Sequence, residues 1–312
     1  MTKFDVLTVG NAIVDIIARC DDQFLIDNKI TKAAMNLIDA ERAELLYSRM
    51  GPALEASGGS AGNTAAGVAS LGAKAAYFGK VADDQLGRVF RHDMKAIGCT
   101  FTTPSLAEGP ATAQCLINVT PDAQRTMSTY LGACVELNPA DVDPAIIEAA
   151  SYSYLEGYLF DPPEARRAFA KAAALSHGAG RKIALTLSDS FVVDRHRGGL
   201  LGFIETQCDI VFANASEVCA LFETADFDAA AKALADRVEN NELHALHPGS
   251  AEGVALAIKD DGGDLIAYNT DSKEYDLDDS KTMVFQANLR STLASVKPGP
   301  VNATVPFVFN IK

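Results

Sequence analysis

Four short runs in this 312-residue chain carry residue types and spacings that suit chemistry. The first is Gly10-Asn11-Ala12-Ile13-Val14-Asp15, directly after a strand-like start. A carboxylate just past a strand end in an α/β sheet points into the ligand crevice, where Asp15 would accept hydrogen bonds from a pair of sugar hydroxyls. Taken alone, it reads as an ordinary turn acid. The second run is Gly58-Gly59-Ser60-Ala61-Gly62-Asn63-Thr64. Its glycines let a backbone approach a ligand closely, and it opens a small-residue helix. Close helix packing accounts for the same glycines. No Gly-Lys-Ser/Thr follows, so it is not a P-loop.

The third run, Asn214-Ala215-Ser216-Glu217, follows a buried strand. By itself it is a helix start, with Asn as cap and Glu at the third position. The fourth, Asp261-Gly262-Gly263-Asp264, places a carboxylate behind two glycines. Leu265-Ile266-Ala267-Tyr268 after it reads as a strand, so no helix dipole would back Asp264, and a hairpin turn is the better reading. His244 and His247 have no third or fourth ligand in view, which argues against a metal site there.

The elements that must hold these residues alternate. Strands are expected at 4–9, 75–81, 152–156, 182–187 and 210–213, and helices at 61–71, 86–97, 164–176 and 227–238. Strand followed by helix, repeated, predicts a parallel sheet covered on both faces. Near residue 240 the pattern changes. All six Cys lie before it. Beyond it, segments 254–259 and 265–269 read as a hairpin, and 282–290 and 301–311 as further strands; the last alternates with period two.

Composition narrows the function classes. Apolar residues make up 48% of the chain, enough for a large core. The net charge of −14 would repel a phosphate backbone, so nucleic acid is not the expected partner. No apolar run is long enough to span a membrane. The start of the chain lacks the basic and apolar regions of an export signal. The irregularly spaced Cys read as reduced thiols of a cytoplasmic protein.

Two further runs make the pattern specific: Gly79-Lys80-Val81-Ala82-Asp83-Asp84-Gln85-Leu86-Gly87, and Arg125-Thr126-Met127 with Tyr130-Leu131-Gly132-Ala133. With these in order, residues 1–240 resemble the ribokinase-like (PfkB) family of sugar and nucleoside kinases, most closely its adenosine-kinase-like branch. Ala82 stands where that family usually has Gly. The resemblance implies a Rossmann-like α/β ribokinase fold with a small β lid from about 12–50 and 100–130. It implies that Asp15, Asn11, Gly58, Gly59 and Asn63 hold sugar or ribose hydroxyls, with Arg125 placed to reach the site. It also implies ATP and Mg²⁺ as cofactors, with Asn214 and Glu217 organising the nucleotide phosphates and Glu217 binding the metal through water.

Phosphoryl transfer to a hydroxyl needs a base, a cation and donors for the developing charge. The family supplies base and donors in a D-T-x-G-A-G-D run at a helix N-terminus. No such run occurs in these 312 residues. The fold is therefore expected to be incomplete in its C-terminal third, with no catalytic residue identified and Asp264 as a decoy. The stretch 250–312 resembles the C-terminal half of a chaperone–usher pilin domain, on the Asp-Gly-Gly-Asp hairpin, the Phe285–Arg290 strand, the Pro298-Gly299-Pro300 turn and the closing strand. That resemblance implies a fusion or chimera whose tail pairs with another chain. Two functional expectations follow: an ATP-dependent kinase of adenosine or a related sugar, or a non-catalytic, incomplete kinase fold.

Overall fold

A computed structural model describes residues 2–238, 254–259 and 286–291. The chain divides into two compact units, residues 1–183 and 184–312.

In the first unit, β1 (Phe4–Val9) leads into β2 (Ile13–Arg19), α1 (Asp22–Asp27), β3 (Met35–Leu37), α2 (Ala40–Arg49) and β4 (Ala53–Gly58). Then come α3 (Ser60–Ser70), β5 (Ala75–Phe78), α4 (Gln85–Ala96), β6 (Thr100–Phe101), β7 (Ala113–Val119) and β8 (Arg125–Tyr130). The unit closes with α5 (Pro144–Glu148), β9 (Ala150–Glu156) and α6 (Pro163–Gly178).

Two sheets result. In the first, β9, β1, β5 and β6 lie side by side and parallel. All four residues of β5 are buried, which requires cover on both faces. Helix α3 packs on β1, β5 and β9, and α5 and α6 pack on β9. This is the α/β arrangement expected from the alternating pattern. The second sheet has five strands in the order β3-β8-β7-β2-β4. It is the small β lid, and it extends past the expected limit of residue 50 because β4 (Ala53–Gly58) pairs antiparallel with β2.

Strand β2 shows why the lid has two distinct faces. Val14, Ile16 and Ala18 are buried, while Ile17 and Arg19 are exposed and Asp15 is half-buried. Period two thus sends the apolar set inward and Asp15 to the open face. Val14 and Ile16 join one core with Leu46, Ala61, Ala65, Tyr77, Phe90, Met94 and Leu116. Inside it the rings of Tyr77, Phe90 and Phe101 meet pairwise at 5.2–5.6 Å.

The second unit takes in most of β10 (Lys182–Thr186), with α7 (Ser190–Gln207), β11 (Ile210–Phe212), α8 (Ala215–Leu221) and α9 (Phe227–Ala235). Strands β10 and β11 are parallel. Helix α7, kinked at His196, was not expected, because its apolar residues do not fall on one clear stripe and it contains three glycines, Gly198, Gly199 and Gly202. Strands β12 (Val254–Lys259) and β13 (Gln286–Ser291) pair antiparallel, with Val254 opposite Ser291. Both fall on expected strands. The expected hairpin at 260–264, the strand at 265–269, the strand at 301–311, Asp264, His244 and His247 lie outside the described residues. No described helix is long and apolar enough to cross a membrane.

Candidate functional site

Asn11, Asp15, Gly58 and Gly59 meet at the junction between the two sheets of the first unit. Asp15 is not in a turn after β1, as the motif suggested. It sits within β2, in register with Ala56 of β4 on one side and Cys115 of β7 on the other. Its carboxyl group lies against Gly58. A Cβ at Gly58 would stand 2.3 Å from Asp15 Cγ, so a side chain there would displace the carboxyl group. Burial pushes the Asp15 carboxyl up to about 6, and the guanidinium of Arg125 works in the opposite direction. Arg125 itself is exposed at the start of β8.

Gly59 has a left-handed backbone, φ +76°, and a Cβ there would stand 2.4 Å from the carbonyl oxygen of Asn11. Gly59 stands at the cap position of α3, as the helix start expected there requires. The approaching group is the chain's own Asn11 loop. Asn11 is 5% exposed, and its Oδ1 has no hydrogen-bond partner among the described residues. A buried amide oxygen left without a donor is uncommon in a folded chain. Asn63 lies in the first turn of α3, half-buried, with its backbone N–H bonded to Gly59 O at 2.9 Å.

One residue at this junction was missed. Glu156, the last residue of β9, is 1% exposed and accepts from Asn11 N at 2.5 Å, from the Ser60 hydroxyl, and from the backbone N–H groups of Ser60 and Ala61. Burial pushes its carboxyl up, opposed by those four donors. The available signal was an acid closing an otherwise buried strand, Tyr154-Leu155-Glu156. The N-terminus of α3 is thus occupied by a protein carboxylate.

The run from Gly79 to Gly87 is structural. Lys80 and Asp141, both buried, pair at 2.5 Å. Asp84 caps α4 by accepting from Gly87 N at 2.7 Å, and it accepts from Thr112 N and Oγ1 at 2.8 and 2.7 Å, which ties α4 to the lid. Gly87 is required because a Cβ would stand 2.1 Å from Ala82 O. Ala82 has no positive φ, so the departure from glycine costs nothing there.

In the second unit, Asn214 and Glu217 form the capping box of α8. Glu217 N donates to Asn214 Oδ1 at 2.9 Å, Asn214 N donates to Glu217 Oε2 at 3.1 Å, and Asn214 Nδ2 donates to Oε1 at 2.8 Å. Glu217 is buried, and burial pushes its carboxyl up to about 7, with the negative charge of Asp189 adding to the rise. Asp189 caps α7 just beyond β10 as Asn214 caps α8 just beyond β11. Asp189 was not singled out in the sequence. No cluster of three metal-binding side chains occurs among the described residues.

Comparison with known proteins adds the following. A family model described as pfkB family carbohydrate kinase matches residues 32–281. A solved structure of a probable sugar kinase from Rhizobium etli is 61% identical, with a TM-score of 0.72 over 77% of this chain and 73% of that one. An adenosine kinase from Sinorhizobium meliloti is 54% identical, with a TM-score of 0.73 over 88% and 82%. An ATP-dependent ribose-1-phosphate kinase from Halopiger xanaduensis is 27% identical over 208 residues, 62% of this chain and 66% of that protein. The chain spans about two thirds or less of the length of the curated kinases it matches. A shorter alignment, 38% identical over 73 residues, is to an uncharacterized fimbrial-like protein of Escherichia coli and covers 22% of this chain and 43% of that protein. The kinase-family match continues to residue 281, inside the stretch read as pilin-like, so a chimera joined at 240–250 is not supported.

Proposed function

The chain belongs to the pfkB family of carbohydrate kinases, and on that premise we propose that its first unit binds adenosine or a related sugar by the ribose hydroxyls. The observation that carries this is the Asp15 carboxylate set into the gap left by Gly58, on the open face of the lid. Two vicinal hydroxyls would donate to Asp15, and the unpartnered Asn11 Oδ1 is a further acceptor. Gly59 and Asn63, at the start of α3, would complete the same site. The 54% identity to an adenosine kinase supports the nucleoside assignment.

ATP is the phosphoryl donor that family membership implies. When bound, Mg²⁺ would neutralise phosphate charge; Glu217, through water, with Asn214 and Asp189, would hold it. Each of these residues has a second duty in a helix cap. Binding a cation near Glu217 would favour its ionised form over the neutral one.

Transfer itself is proposed to be slow in the chain as it stands. The D-T-x-G-A-G-D run that carries base and anion hole in the family is not among its residues. Loss of a base costs about 10²–10⁴ in rate, and loss of anion-hole donors a further ~10²–10³, not simply multiplied. ATP consumption with adenosine, ribose and fructose as acceptors separates a kinase from a binding protein. Acceptor-dependent turnover near one per second, on the order of typical kinase rates, would refute the slow-transfer reading, and Asp264 would then be the first residue to replace.

A further inference from the structure

Three chain segments meet at Glu156 with no space between them. A Cβ on Gly10 would stand 2.3 Å from Ala61 Cβ and 2.5 Å from Glu156 Oε2. The carbonyl of Gly10 accepts from the buried Tyr77 hydroxyl at 2.9 Å. Gly59, at the cap position of α3, offers no side chain to the helix's first amides. Those amides are satisfied from another strand, by Glu156, whose carboxylate also takes Asn11 N and the Ser60 hydroxyl. A buried carboxylate is costly unless its lone pairs are filled, and here four donors fill them.

We propose that Glu156 is a positioning residue: its carboxylate fastens the Asn11 loop to the first turn of α3, so that the segment entering Asp15 and the segment carrying Asn63 meet the ligand as one rigid piece. The role rests on the reading of this junction as the sugar site, but the fastening itself does not. Glu156 touches no hydroxyl of the ligand in this account. It acts through Asn11 and Ser60, removing freedom that ligand binding would otherwise have to remove.

Glu156→Gln keeps the shape and replaces one acceptor with a donor that faces N–H groups. In the full chain, the backbone amides of Asn11, Ser60 and Ala61 are followed by NMR, together with adenosine affinity by calorimetry. Hydrogen-exchange protection at these three amides is expected to fall about tenfold or more, while the amides of β7 keep theirs. The Asn11 and Ala61 amide proton resonances should move upfield as a charged acceptor is lost, and adenosine affinity should fall about tenfold. Unchanged protection in the folded variant would overturn the proposal. So would lost protection with unchanged affinity, which would make Glu156 a structural tie alone. If the wild-type chain binds no adenosine, the functional reading fails, and exchange at the three amides still decides whether Glu156 fastens the loops. If Glu156→Gln does not fold, Ser60→Ala removes one donor to the same carboxylate, and unchanged exchange at Asn11 and Ala61 would then count against the proposal.

Discussion

The carboxylate of Asp15 occupies the volume that any side chain at Gly58 would need: a Cβ there would lie 2.3 Å from both Asp15 Cγ and Oδ2. The neighbouring glycine is constrained differently. At Gly59 the obstacle is a backbone carbonyl, Asn11 O at 2.4 Å, and φ is +76°.

The two glycines should therefore fail in different ways. In Gly58→Ala the end of a side chain can swing aside, so stability should change by only about 1 kcal/mol. Asp15 would be displaced, and adenosine affinity should fall about tenfold or more. In Gly59→Ala nothing movable is in the way, and left-handed backbone adds about 1–2 kcal/mol for a non-glycine residue. That variant should lose several degrees of melting temperature. Thermal melts and calorimetric titrations of both variants check the contrast, and a Gly58→Ala protein that binds as well as wild type would remove Asp15 from the site.

Adenosine affinity should rise with pH through about 6, because burial holds the Asp15 carboxyl near that value and only the carboxylate makes charge-assisted bonds to hydroxyls. Arg125 pulls the value down, so Arg125→Ala should move the midpoint upward. Titrations from pH 5 to 7.5 measure both midpoints. An affinity flat across that range would contradict the assignment.

Glu217 should make the fold less stable as pH rises. Its folded value is about 7 against 4.5 unfolded, so between those values the folded chain holds a proton that the unfolded chain has released. Stability is therefore greatest below about 4.5 and declines through 7, by on the order of 3 kcal/mol. Glu217→Gln should flatten this dependence in urea unfolding at pH 5 and 7.5. Added Mg²⁺ should recover stability at the higher pH in wild type and less in the variant.

The central elements were legible because each carried an unambiguous period. Strand β1, helix α4 and helix α6 fall within a few residues of their expected places, and the Asn214–Glu217 capping box was readable from two letters. The lid was harder. Only three residues separate β1 from β2, and the partners of β2 are distant in sequence, so Asp15 read as lying just past a strand end when it is a strand residue on an open face. Glu156 was invisible for a related reason: its partners, Asn11 and Ser60, are 145 and 96 residues away. Such long-range polar contacts leave no local pattern to read.

The most direct test of the account is a calorimetric titration of adenosine into the wild-type chain and into Asp15→Asn at pH 7.5. The asparagine keeps the volume beside Gly58 and removes the charge. Saturable binding by wild type, weakened about tenfold or more by the substitution, is the expected result, since a hydrogen bond to a charged group contributes about 1.5–3 kcal/mol. No binding by the folded wild-type chain, or equal binding by Asp15→Asn, would contradict it.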